Sequence, residues 1–288
     1  MKRKYDLAFS LGAACACSQM LRLAKLQYAS FPYDWLANGS FLERESLLEA
    51  RFGDWPRAED FAVVGVQQNG WPIVEDRRMH FTYLHDFPPE VAVEVQSAAV
   101  CEKYARRQKR LMDLIASSRR VLVVYVGLPE HDAVPKAELM AARERLERCF
   151  APARFDILCF DCPTGVPFSA RRDVEVAPGI RTISFDYRDY RPSKLRYEAA
   201  YGFLARHFMR GYAVRDYRTP EARRLHEEKL REKEMARFNA HRAFELFARK
   251  IEYRIWRHFA KILVRKGIEC GCTAHLKCAE KKDIICKP

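Results

Sequence analysis

One stretch constrains this chain more than any other. Within R-R-V-L-V-V-Y-V-G, residues Val121 to Val126 form the clearest strand in the sequence. It does not stand alone. An amphipathic helix pattern, V-Q-S-A-A-V-C-E-K-Y-A-R-R-Q-K-R-L-M-D-L-I-A-S-S, precedes it, and K-A-E-L-M-A-A-R-E-R-L-E-R-C-F follows it. R-F-D-I-L-C-F-D then reads as a strand ending in Asp161, and I-R-T-I-S-F-D-Y as another ending in Asp186. Near the start, Y-D-L-A-F-S-L-G reads as a buried strand from Tyr5 to Leu11, closed by Gly12. A helix over C-S-Q-M-L-R-L-A-K-L follows, with Met20, Leu21, Leu23 and Leu26 at close to helical spacing. Strands alternating with helices predict parallel βαβ units: an α/β fold, a three-layer sandwich with a mainly parallel central sheet. Sites in such sheets form at the carboxyl ends of the strands. Those ends carry Gly12 with Cys15, Gly127, Asp161 and Asp186.

The rest of the chain is organised around that core. Phe31 to Leu36, F-P-Y-D-W-L, is an aromatic turn, and F-L-E-R-E-S-L-L-E-A-R-F predicts a short helix. Trp55-Pro56 and Trp71-Pro72 bracket an irregular or β-rich stretch. M-H-F-T-Y-L-H-D-F predicts a strand ending near His85. From about Lys194 the pattern turns helical and charged, with a helix start at Thr219-Pro220-Glu221 and a stop at Gly267. The expected division is an α/β domain over 1–193 and a helical, basic C-terminal extension over 194–288. No apolar run approaches the 18 or so residues of a membrane span. The N-terminus resembles a signal peptide only superficially, because Asp6 interrupts a short apolar stretch. A cytoplasmic protein is expected, and its ten cysteines then read as thiols rather than disulfides.

The net charge of +13 favours acidic partners. From Glu221 onward there are 18 Lys and Arg against 10 Asp and Glu, so most of the excess belongs to the tail. Within A-R-K-I-E-Y-R-I-W-R-H-F-A-K-I-L-V-R-K-G, Ile251, Ile255, Phe259 and Ile262 recur at three- or four-residue intervals. The favoured reading is a terminal helix packing its apolar stripe on the domain. The alternative is a peripheral contact of 250–266 with an anionic inner-membrane surface. Nucleic-acid binding is disfavoured, since no nucleic-acid fold signature accompanies the basic residues. Cys270, Cys272, His275 and Cys278, with Cys286 as a spare, are the candidate metal ligands. Their spacing departs from that of paired zinc knuckles, so neither a metal nor another cofactor is expected.

A cysteine in the first turn of a helix faces unpaired backbone N–H groups and the positive end of the helix dipole, which favour the thiolate. Cys15 holds that position. A nucleophilic cysteine needs a base, and His85 at a strand end is the candidate. Adjacent side chains on a strand point opposite ways, so Asp86 is a poor orienter for His85. Asp34 or Asp161 has to reach in instead. The bland alternatives are a core cysteine, a loop histidine and an aromatic turn that merely packs.

S-L-G-A-A-C, S-F-P-Y-D-W, L-H-D-F and E-K-Y-A-R-R-Q-K-R-L-M-D-L-I-A-S-S-R-R-V-L-V-V-Y-V, in that order over residues 4–130, resemble a bacterial family of uncharacterised proteins described as papain-like cysteine peptidases. The resemblance implies Cys15 as nucleophile, His85 as base and Asp34 as orienter or structural residue. Ser10, Gly12, Tyr33, Trp35 and Asp86 would form the oxyanion and substrate wall. Two departures stand out: Tyr33 replaces the family's usual Phe, and Gly127 falls where an arginine is often found. A papain-type enzyme carries its histidine on an antiparallel barrel, whereas the alternating pattern here fits a parallel sheet. The expected activity is a cysteine-dependent hydrolase or acyltransferase acting on an amide, ester or thioester. Its context would be surface-polysaccharide metabolism, with an acyl-type or glycoconjugate substrate. A non-catalytic module that binds an anionic ligand or docks at a membrane surface is the alternative.

Overall fold

The computed structural model describes residues 2–13, 15–128, 133–187 and 198–232, and scattered positions from 235 to 258. Contacts divide the chain into two units, Met1–Tyr217 and Arg218–Pro288. The first unit contains a five-stranded sheet in the order β2-β7-β8-β10-β9. Its strands are β2 (Leu7–Ser10), β7 (Arg120–Val126), β8 (Arg154–Asp161), β10 (Ile180–Ser184) and β9 (Arg172–Ala177). The first four run parallel and β9 closes the edge antiparallel.

Helices cover both faces. The α/β three-layer architecture follows from side-chain alternation along the central strands. Phe9, Val121, Val123, Tyr125, Ile157 and Cys159 point to one face. There they pack against α2 (Phe41–Glu49), α3 (Val93–Ala116) and α4 (Lys136–Cys149). Ala8, Leu122, Val124, Leu158 and Phe160 point to the other, against α1 (Cys15–Leu23) and α5 (Glu198–Phe208). A strand buried on both faces has no polar register, which is why V-L-V-V-Y-V is apolar throughout.

Several elements differ in extent from the sequence expectation. The first strand is two: β1 (Arg3–Tyr5) and β2, parted at Asp6. The Asp6 carboxylate accepts from the backbone N–H of Arg119 and Arg120, at 2.9 and 3.0 Å, and pins the break. β1 pairs in parallel with β11 (Tyr212–Val214) instead of joining the main sheet. The segment before His85 contributes only β6 (Thr82–Tyr83). That strand belongs to a second, antiparallel sheet, β3-β6-β5-β4, completed by β3 (Leu36–Ala37), β5 (Pro72–Asp76) and β4 (Phe61–Val66). The strand before Asp186 stops at Ser184. α5 and β11 fall inside the first unit, so that unit runs past 193, the boundary the charge pattern suggested, to Tyr217. α5 seals one face of the sheet through Leu204 and Phe208, which a change in composition does not reveal.

In the second unit a helix runs over 220–232. Thr219 caps it: its hydroxyl accepts from Ala222 N at 3.1 Å and its carbonyl from Arg223 N at 3.0 Å. Among the described residues no helix is long and apolar enough to cross a membrane.

Candidate functional site

The site begins where β2 ends. Leu11 and Ala13 continue alongside β7, donating to Val124 and Val126 carbonyls at 2.8 and 3.2 Å. The Gly12 N–H is held by the Ser10 hydroxyl at 3.2 Å. A Cβ at Gly12 would lie 2.5 Å from Cys17 Cβ and 3.2 Å from Val126 N. Glycine is required there because α1 folds back directly onto the strand end.

The two cysteines of A-C-A-C take different roles. Cys17 is buried, its Sγ donating to Val124 O at 3.2 Å. Burial pushes its thiol up to about 12, so it stays protonated. Cys15 is the first residue of α1, partly exposed and in no disulfide. Of these two cysteines, Cys15 is the one at which the amide-rich end of the helix and solvent access coincide.

The S-F-P-Y-D-W turn docks on that helix. The Ser18 hydroxyl is shared between the carbonyls of Cys15 at 3.2 Å and Asp34 at 2.9 Å. Asp34 is fully buried. Its Oδ2 accepts from Gln27 Nε2 at 2.7 Å, Phe31 N at 2.9 Å and Arg22 Nη2 at 3.0 Å. Desolvation raises its pKa against the opposing pull of Arg22 and these bonds. Asp34 is thus the internal clamp of the turn. Its carboxylate makes no hydrogen bond to His85. Tyr33 is buried and its hydroxyl donates to Arg44 O at 2.8 Å, so the group that departs from the resembled pattern has a partner. Trp35 is half-buried, with the Arg22 guanidinium carbon 5.8 Å from its ring centroid.

His85 is exposed and leads out of β6. Its ring meets Trp35 edge-on at 6.0 Å. Among the described residues its nitrogens make no hydrogen bond. Asp86, in the bend after β6, turns inward where His85 faces out. Its carboxylate is buried, accepting from Tyr104 OH at 2.9 Å and lying 2.5 Å from Lys103 Nζ. Asp161 accepts from the Cys159 thiol at 3.6 Å, and burial raises its pKa. Asp186 accepts from Gly165 N at 2.9 Å. Gly127 extends the β7 ladder, donating to Phe160 O at 2.8 Å.

The structure therefore gathers Ser10, Gly12, Cys15, Asp34 and Trp35 around α1 and brings His85 against Trp35. It assigns Asp34 and Asp86 to hydrogen-bonded networks other than the imidazole. Sequence reasoning missed Ser18, Arg22 and Gln27, which hold the turn. Arg22 lies seven positions after Cys15 on the same helix, so the spacing held a signal. Arg44 was missed too. Fully buried, it donates to the carbonyls of Leu36 and Gly39, each at 3.2 Å, and to that of Asn38, fixing the loop after Trp35. Desolvation lowers its pKa to about 10.

Among the described residues no group of three or more His, Cys, Asp or Glu could hold a metal ion. Cys270, Cys272, His275, Cys278 and Cys286 lie outside the described residues. No family model matches the chain, and no curated protein or solved structure matches it.

Proposed function

We propose that the chain is a cysteine-dependent acyl-transfer enzyme, a hydrolase or acyltransferase of the papain-like kind its motifs resemble. One observation carries this reading. Cys15, alone of the two N-terminal cysteines, is a partly exposed thiol at the first position of a helix that starts on a strand end. In this reading His85 takes the Cys15 thiol proton, Sγ attacks the acyl carbon, and the expelled leaving group takes that proton from His85. The N–H groups of the first turn of α1 face the oxyanion. Water or a second acceptor, deprotonated by His85, then releases the acyl group. Catalytic hydrogen bonds are often long or unmade without substrate and tighten when it binds. His85 follows a strand of the antiparallel sheet, and a papain-type enzyme likewise carries its histidine on antiparallel structure, which supports the reading. The substrate is an amide, ester or thioester, in the context of surface glycoconjugates that the resemblance implies.

The test is incubation with an activated thioester, followed by intact-mass analysis. Cys15 gains one acyl group in the wild type, none in Cys15→Ala, and gains it far more slowly in His85→Gln. Equal acylation in all three overturns the reading.

A second reading, a non-catalytic module, draws on the exposed His85 with no hydrogen bond to a thiol. The tail supports a peripheral role at an anionic membrane surface. Phe247, Ile251 and Ile255 recur every four residues and are 60%, 42% and 51% exposed, within a basic segment. Binding to anionic but not neutral vesicles, lost with Ile251→Asp, would favour it. The cytoplasm is the compartment both readings suppose.

A further inference from the structure

The site just described leaves one charged helix face unused. α3 carries E-K-Y-A-R-R-Q-K-R over 102–110. Its buried stripe is Val93, Ser97, Val100, Tyr104, Leu111 and Ile115. On one side of that stripe Gln108 donates to Trp55 O at 2.6 Å. The other side places Lys103, Arg107 and Arg110 together, at spacings of four and three residues.

Both ends of this face are tethered to the candidate site. Lys103 Nζ lies 2.5 Å from Asp86 Oδ1, beside His85. Arg110 Nη1 donates at 2.9 Å to the carbonyl of Ser30, the first residue of the aromatic turn. The helix between them spans about 10 Å, and Arg107 stands midway. The contacts close into a ring. From Asp86 the chain steps to His85, which packs on Trp35. Trp35 lies by Arg22, and Arg22 Nη2 donates at 3.1 Å to Ser30 Oγ. Ser30 leads back to α3 through Arg110.

Charge around the ring is uneven. Arg22 is neutralised by Asp34 and Lys103 by Asp86. Arg106 and Lys109 pair with Glu102 and Asp113. Among the described residues Arg107 and Arg110 have no carboxylate partner. The Arg107 guanidinium lies 5.1 Å from the centroid of the Tyr104 ring. Its Nη1 is shielded from solvent yet has no hydrogen-bond acceptor, and neither does the Nε of Arg22 elsewhere on the ring. A sheltered donor without an acceptor is costly. A guanidinium fork matches a carboxylate or phosphate better than any other common partner.

We propose that this ring is an oxyanion-binding subsite of the Cys15 site, with Arg107 as its principal contact, so that the substrate carries a carboxylate or phosphate near its acyl carbon. The inference rests on the acyl-transfer reading and narrows its substrate class. Arg107 is a specificity residue and takes no part in the proton transfers.

Two measurements on the full chain test it. First, thermal unfolding is followed in phosphate, in acetate and in chloride at matched ionic strength. Phosphate or acetate raises the melting temperature above chloride by a few degrees in the wild type, the one that does so identifying the group. Arg107→Gln abolishes the difference, whereas Arg107→Lys, which keeps the charge, retains part of it. No rise with either anion, or an undiminished rise in Arg107→Gln, overturns the subsite. Second, Cys15 is alkylated with iodoacetate and iodoacetamide, the thiolate displacing iodide from carbon in both. In Arg107→Gln the iodoacetate rate falls on the order of five-fold at low salt, while the iodoacetamide rate holds. An unchanged ratio severs the subsite from Cys15. A Cys15 inert to both reagents sinks the acyl-transfer reading instead, and the anion melts still decide whether the subsite exists.

Discussion

The imidazole of His85 stands edge-on to the indole of Trp35, with 6.0 Å between ring centroids and 89° between planes. That contact joins the histidine element to the turn docked on α1. An edge-to-face pair of this kind contributes about 1 kcal/mol beyond the area it buries. Trp35→Phe should keep most of it, while Trp35→Ala removes it. Acylation of Cys15 by a thioester is expected to fall with Trp35→Ala toward the rate of His85→Gln and to stay near wild type with Trp35→Phe. Equal rates in wild type and Trp35→Ala would detach Trp35 from the histidine's role.

Cys15 and Cys17 should separate cleanly in reactivity. Iodoacetamide at pH 8, read by peptide mass mapping, is expected to modify Cys15 in the native protein. Cys17, buried with its thiol pushed up to about 12, reacts only after denaturant is added. Modification of Cys17 first contradicts the assignment.

Gly12→Ala is expected to cost about 2 kcal/mol in urea unfolding, within the usual range for overpacking. The clash is with the Cys17 Cβ and the Val126 backbone, not with the sulfur alone. Adding Cys17→Ala should therefore fail to restore stability. Full recovery in that double variant would place the strain on Sγ.

Asp34 holds the aromatic turn from inside. Asp34→Ala strands Arg22, Gln27 and the Phe31 amide, and is expected to cost about 3 kcal/mol. Asp34→Asn keeps an acceptor oxygen and should cost about 1 kcal/mol. The ratio of the two, from urea midpoints, is the check. A large loss in Cys15 acylation with Asp34→Asn at unchanged stability would return Asp34 to the catalytic set.

Alkaline pH should weaken the fold. The Cys17 thiol, and the Tyr33, Tyr83 and Tyr104 hydroxyls, are all raised by burial. Above about pH 9 the unfolded chain sheds a proton that folded Cys17 retains to about 12. The unfolded state then binds fewer protons, and stability falls as pH rises, by up to about 1.4 kcal/mol per unit for each such group. Cys17→Ala should lose less stability between pH 8 and 10 than the wild type. Identical slopes would assign the whole effect to other groups.

The layers of the fold were legible because burial on two faces leaves a plain mark. V-L-V-V-Y-V and D-I-L-C-F can only be central strands once helices alternate with them. The helix read over F-L-E-R-E-S-L-L-E-A-R-F is present as α2, and the Ser40–Glu43 capping box that starts it is a finding of the structure. Short pairings were not legible. β3 and β6 are two residues each and hold their place through Arg44 and the aromatic core, not through local pattern. At the site, Cys15 could be picked out by its position at a strand–helix junction. The roles of Asp34 and Asp86 could not. Asp86 takes Tyr104 and Lys103 from α3, and Asp34 adds Arg22 and Gln27 to the nearby Phe31 amide. The pattern around each carboxylate does not rank those partners.

The parallel pairing of Arg3–Tyr5 with Tyr212–Val214 has a consequence during synthesis. During translation β1 waits for its neighbour until nearly all the rest of the first unit has been made. The nascent chain must carry that unpaired edge throughout, and Lys2, Arg3 and Lys4 supply the like charges that keep it from joining another chain meanwhile.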